Sequence, residues 1–166
     1  MIVPFTRRTF ATRFASVLSA LGITGSLLEG QSQAQASSNA GVQKLNYDGQ
    51  PADGKQMITS LIVHNGLIST SGQGANDAGD VKGADIESHT TKVMHNVKKL
   101  VEAGGGGMDS ILQLTVYLSK LDDYDGMNEV FKGYFPHGGP ARTTVSAAGV
   151  PGHSLLEINC IAAVTK

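Results

Sequence analysis

Two charged residues near the end of the chain stand in settings where charge has chemical consequences. Arg142 lies in Gly139-Pro140-Ala141-Arg142-Thr143-Thr144-Val145, and Glu157 lies in Leu155-Leu156-Glu157-Ile158-Asn159-Cys160-Ile161-Ala162, a run that is otherwise almost wholly apolar. A lone carboxylate in such a run is costly to bury unless it is paired, hydrogen-bonded or turned to a wet cleft. Arg142 is its nearest candidate partner in sequence. The pair reads either as an ordinary salt bridge across a hairpin, which contributes little, or as the two charges of a functional site.

Other residues with chemical potential are fewer. Ser71-Gly72-Gln73-Gly74 ends a β-rich run, and glycine after a strand lets a small ligand approach the backbone with no Cβ in the way. Neither a phosphate loop nor a dinucleotide fingerprint surrounds it. His89 and His95 are six apart, a spacing that puts them on different faces of a helix and argues against a shared metal. Both read as surface residues, as does His64. Asp77 and Asp80 fall in a polar loop without EF-hand spacing. No metal is expected.

The elements that must position these groups follow from pattern. Residues 58–63 and 67–71 are β-rich and flank His64-Asn65-Gly66; Asn-Gly supplies the positive φ angles of a two-residue hairpin turn. Ile86, Thr90, Val93, Met94, Val97, Leu100 and Val101 recur at helical steps, predicting a helix over about 85–103 that stops at Gly104 to Gly107. Residues 111–118 read as a strand with Leu112, Leu114, Val116 and Leu118 on one side and Gln113, Thr115 and Tyr117 on the other. Asp122-Asp123 supplies the negative charge favoured at a helix start, and Tyr124, Met127, Val130, Phe131 and Tyr134 give a second apolar helical face ending before Pro136. Residues 143–145 and 155–162, separated by Gly149-Val150-Pro151-Gly152, read as a second hairpin. The expected order is β, hairpin, helix, strand, helix, hairpin: an α+β domain with two helices on a largely antiparallel sheet.

The first 36 residues do not read as part of that fold. Thr6-Arg7-Arg8-Thr9-Phe10 precedes a weakly apolar run from Phe14 to Leu28, and Ala34-Gln35-Ala36 offers small residues for a signal peptidase. Together they predict a twin-arginine signal peptide over 1–36 and a periplasmic or secreted mature protein beginning near Ser37. The apolar run, interrupted by Gly22 and Gly25, is too short and weak to span a bilayer. Residues 37–54 read as a flexible linker leading into a short first strand, with the folded domain at 55–166.

Composition bounds the partners. The 166 residues carry a formal charge of −1, so no basic excess draws the protein to nucleic acid or to anionic lipid. The single Cys160 cannot form an intramolecular disulfide, and its alternation with Glu157 and Asn159 along a strand turns it to the opposite face, where it packs as a small apolar group.

Pro-Ala-Arg-Thr-Thr-Val followed by Leu-Glu-Ile-Asn-Cys-Ile-Ala-Ala resembles the C-terminal signature of the RidA/YjgF/UK114 family, small proteins that hydrolyse reactive enamines and imines. The likeness runs from about residue 56 to 164 and takes in Ser71-Gly72-Gln73, Thr115-Val116-Tyr117-Leu118, Met127-Asn128, Pro140-Ala141-Arg142 and Glu157-Ile158. It implies a chorismate-mutase-like fold of the Bacillus type, a β-sheet covered on one face by two helices, and a homotrimer with clefts between subunits. It implies hydrolysis of 2-imino acids to 2-oxo acids and ammonia, with Arg142 holding the carboxylate, Glu157 activating water, and Ser71, Gly72, Asn128 and Thr144 lining the cleft. No cofactor is implied. The family's Gly-Pro-Tyr-Ser falls here on Gln56-Met57-Ile58-Thr59, which removes its tyrosine, and a thiol found in many members is replaced by Thr144. A non-catalytic trimeric module that binds small carboxylates is the alternative, and an endoribonuclease-type activity is a weaker third.

Overall fold

Asn65 and Gly66 adopt positive φ (51° and 75°) and join β2 (Leu61–His64) to β3 (Leu67–Thr70) as the Asn-Gly pair predicts. The computed structural model describes residues 41–76 and 81–166; the expected signal peptide over 1–36 lies outside the described residues. β1 (Gln43–Leu45) pairs antiparallel with β2, so the sheet begins inside the stretch expected to be a linker, and a domain start at 55 is too late. Met57 and Ile58 lie outside the sheet and are strongly exposed; the hairpin's first strand starts at Leu61 rather than Ile58.

β4 (Gln73–Gly74) is followed by α1 (Ile86–Ala103), which Asp85 caps by accepting the Ser88 N–H at 2.9 Å. Hydrogen bonding to Ser88, through its side chain first and this N–H second, holds the Asp85 carboxyl below its ordinary range. Then come β5 (Ile111–Leu118), α2 (Tyr124–Tyr134), β6 (Ala141–Ser146) and β7 (Leu156–Ala163). The sheet order is β1-β2-β3-β7-β5-β6, with β4 also on β7.

The second expected hairpin does not form. β6 and β7 exist, but β5 lies between them: β6 runs parallel to β5, and β7 antiparallel to it. A strand, a helix and a strand in succession make a crossover unit, whose strands pair parallel with the helix laid on one face. The salt bridge across a hairpin is excluded with the hairpin.

One face of the sheet is covered. Leu61, Ile68, Leu114, Val116, Leu118, Leu156, Ile158, Cys160 and Ala162 pack there against Val93, Met94, Val97, Leu100, Val101 and Met127 of the helices. Leu112 was expected among them and is instead exposed. Ile111 pairs with Ala162 and Gln113 with Ile161, so Leu112 is the extra residue of a β-bulge, which resets the alternation at that point. The other face carries Leu67, Tyr117, Val145 and Ile161 as exposed large apolar side chains, alternating with the core residues along each strand.

His89 is 1 % exposed rather than a surface residue. It lies one helical turn from Ile86 and from Val93, on the core face, and its ring bridges two backbone groups. Nδ1 accepts the Leu155 N–H at 3.2 Å, and Nε2 lies 3.0 Å from the Val81 carbonyl, to which it donates once Nδ1 is the acceptor. His64 and His95 are exposed as expected.

Candidate active site

Glu157 stands on the open face of β7, in register with Tyr117 of β5. β4 runs beside it, with Gly74 opposite Glu157. Gly72 is so close that a Cβ built there would collide with the Glu157 carboxylate oxygen Oε1, so any larger residue here would have to push the carboxylate aside. Ser71 and Gly72 are braced from the core side by Gln73, 2 % exposed. Its amide nitrogen donates toward the Ser71 carbonyl at 3.1 Å, Ser71 Oγ at 3.0 Å and the Gly72 carbonyl at 3.0 Å. Its amide oxygen accepts from the Tyr47 phenol. Gln73 was read from the sequence only as part of the Ser71-Gly72-Gln73 motif, without this bracing role; Tyr47 was not read as site-forming, because it lies in the stretch expected to be a linker and only its aromatic character set it apart.

Arg142 lies on the other face. It pairs in register with Leu114, a core residue, so its side chain shares the helix-covered side of the sheet. Its guanidinium carbon sits 4.6 Å from the Phe131 ring centroid and 5.8 Å from that of Tyr124. Nη2 donates to the Tyr124 hydroxyl at 3.3 Å, and Nη1 reaches Met127 Sδ at 3.9 Å. Among the described residues no carboxylate pairs with it. Tyr124, Met127 and Phe131 are the apolar stripe of α2; the helical spacing marked them as a buried face, and the crossover from β5 to β6 is what sets that face on Arg142. Asn128 is half-buried on the same helix, one turn from both Tyr124 and Phe131.

Thr144, two residues along β6 from Arg142, shares its face. Its hydroxyl oxygen is buried and has no hydrogen-bond partner, which is costly for a polar group unless something else satisfies it. Cys160 is buried on the core face as its alternation indicated, close to Thr70 Oγ1 at 3.6 Å, and burial pushes its thiol up. It has no part in the site.

One chain therefore holds two half-sites. Ser71, Gly72 and Glu157 form one; Arg142 and Thr144, with α2 and its Asn128, form the other. They are two strands apart across the sheet, three residues apart along it by register, and on opposite faces. That is about 10 Å in each in-plane direction at ordinary strand spacings. Because β6 is an edge strand, Arg142 stands at the margin of the domain, where a second copy can approach. Among the described residues no group of three or more His, Cys, Asp or Glu side chains could hold a metal.

A mixed sheet of this strand order, with two helices on one face, has the chorismate-mutase-like α+β fold. The endoribonuclease L-PSP family model matches residues 56–164, and the chain belongs to that family, which is the YjgF/RidA/UK114 group. A RutC family protein of Pyrococcus horikoshii is 37 % identical over 84 residues, 51 % of this chain and 67 % of the relative. The chloroplastic Reactive Intermediate Deaminase A of Arabidopsis thaliana is 32 % identical over 97 residues, 58 % of this chain and 48 % of the relative. The crystal structure of E. coli TdcF with bound serine superposes with a TM-score of 0.63 at 27 % identity, covering 74 % of this chain and 98 % of that one. The family thus includes reactive intermediate deaminases.

Proposed function

We propose that the protein hydrolyses reactive 2-imino acids, formed directly or from their enamine tautomers, in a cleft made by two copies of the chain within a homotrimer. The observation that carries this reading is the pair of unmatched charges. The Arg142 guanidinium has no acidic partner and the Glu157 carboxylate no basic one among the described residues, yet each is only half-buried and each sits beside cleft-forming groups. A second copy that sets its Glu157 across a cleft from Arg142 lets both charges act on one ligand, and the exposed apolar residues of the open sheet face supply a surface for it to cover. The serine seen in the TdcF structure supports a ligand of amino-acid size.

In this reading Arg142 takes the substrate carboxylate in its fork of donors. Glu157, whose carboxylate lies against Gly72 where a Cβ would stand, accepts a proton from water as the oxygen bonds to the imine carbon. The resulting carbinolamine loses its nitrogen as ammonia once the proton is passed to it, and the carbon–oxygen bond becomes the ketone of a 2-oxo acid. Water and imine are consumed, ammonia and 2-oxo acid are formed, and no electrons change hands.

The direct test is ammonia release by the purified protein from 2-imino acids generated in place by an amino-acid oxidase. Release well above the uncatalysed rate is the expected result. If none is seen while 2-oxo acids bind, a non-catalytic carboxylate-binding module replaces the hydrolase.

We also propose that the protein acts outside the cytoplasm, on the strength of Arg7-Arg8 and the mild apolar run that follows. Replacing both arginines by lysine is expected to leave unprocessed precursor in the cytoplasm, seen by fractionation; unchanged export of the double variant rules the assignment out.

A further inference from the structure

We propose that Tyr124 is a substrate-binding residue: its phenol O–H is the donor that completes the carboxylate grip begun by Arg142, and so selects acids over their neutral analogues. The inference rests on the reading of Arg142 as the carboxylate anchor. It begins from the direction of one hydrogen bond. A guanidinium carries donors only, so in the 3.3 Å contact Arg142 Nη2 must donate and the Tyr124 oxygen must accept. The phenol hydrogen is therefore not spent on Arg142, and among the described residues no acceptor takes it. Tyr124 is 39 % exposed, so its phenol is open to a ligand toward which that hydrogen can turn.

The rest of the pocket is consistent in sign. Phe131 covers one face of the guanidinium and Met127 Sδ meets Nη1, leaving the cation fixed but not neutralised. Thr144 adds a buried hydroxyl with no partner on the same face of β6. Cation, phenol and threonine hydroxyl can all donate, and among the described residues no acidic side chain pairs with Arg142, so the set suits an anionic ligand group. A carboxylate meets this set with two oxygens, one taken by the fork of Arg142 and the other shared with Tyr124. The acceptor role toward Arg142 also polarises the phenol, because a hydroxyl whose oxygen accepts from a cation is a stronger donor.

The test is calorimetry on the full assembled protein with pyruvate, methyl pyruvate and inorganic phosphate as probes. Wild type is expected to bind pyruvate and to bind the ester and phosphate far more weakly. Tyr124→Phe keeps the ring against Arg142 and removes the hydroxyl. Its affinity for pyruvate is expected to fall about ten-fold or more, the worth of a hydrogen bond to a charged group, with no change for the ester. In ammonia release the loss should fall on KM rather than kcat, since the contact is made equally in ground and transition states. Placing 3-fluorotyrosine at 124 separates donation from positioning: the fluorinated phenol is a better donor and a poorer acceptor, so pyruvate should bind more tightly. Unchanged or weaker binding there means that the hydroxyl only steadies Arg142 and overturns the proposal. Wild type that binds no pyruvate, or prefers phosphate, overturns the carboxylate reading itself. Wild type that binds pyruvate while Tyr124→Phe matches it overturns Tyr124 alone.

Discussion

Glu157→Gln is expected to bind a stable 2-oxo acid as wild type does and to release ammonia roughly 10²–10⁴-fold more slowly, the usual share of general acid–base catalysis. The amide keeps the shape of the side chain, so its close approach to Gly72 is retained, but it cannot accept a proton from water. Arg142→Lys fails differently. Lysine keeps a positive charge and loses the planar fork, the stack on Phe131 and the geometry of the bond to Tyr124. Carboxylate binding is then expected to weaken by about 1.5–3 kcal/mol, with turnover falling in step. Calorimetry measures the first property and ammonia release the second. If Glu157→Gln alters neither, the carboxylate is not the base and the hydrolytic mechanism has no residue to run on.

The second large effect comes from mixing those two inactive proteins. In one chain Arg142 and Glu157 face opposite ways across the sheet, so in the proposed assembly each working site draws its arginine from one copy and its glutamate from the next. Co-refolding equal amounts of Arg142→Lys and Glu157→Gln should yield assemblies in which roughly a quarter of the sites combine two intact residues, by random association around a closed ring. Activity should rise from near the variants' floor to roughly that fraction of wild type. A site contained within one chain could never be restored in this way, because every chain in the mixture carries one defect. Light scattering on the same samples gives the number of copies, and a monomer mass would remove the cleft altogether.

How far the sequence carries this picture depends on the range of the interaction. Asn65-Gly66, the Asp85 cap and the helical spacing of residues 86–101 act within a few residues, and the structure reproduces each of them. The pairing of β6 with β7 was misjudged because closeness in sequence suggested a hairpin, although the preceding helix already implied that β6 returns parallel to β5. His89 was assigned to the surface by its polarity, but its position one turn from Ile86 and Val93 held the better signal. The bulge at Leu112 leaves no mark in an unbroken apolar alternation. For the candidate site, Arg142, Glu157, Gly72 and Thr144 were singled out by their motifs. That they divide between two faces of one sheet was not, because the face of a strand residue is decided by which neighbour pairs with it, and that neighbour, β5, lies 24 or more residues away from Arg142 and farther from Glu157.

The position of β7 has a further consequence. It pairs with β3, β4 and β5, and without it the strands fall into β1-β2-β3, β5-β6 and an unpaired β4. Yet β7 is the last of them to leave the ribosome. The emerging polypeptide can form a hairpin, a helix and a crossover unit, but no strand pairing joins them into one sheet until residues 156–163 are made. Closure of the sheet therefore waits for its last strand and is paced by contacts between distant residues, and the unjoined sheet edges are exposed to wrong partners for the whole of the interval before it.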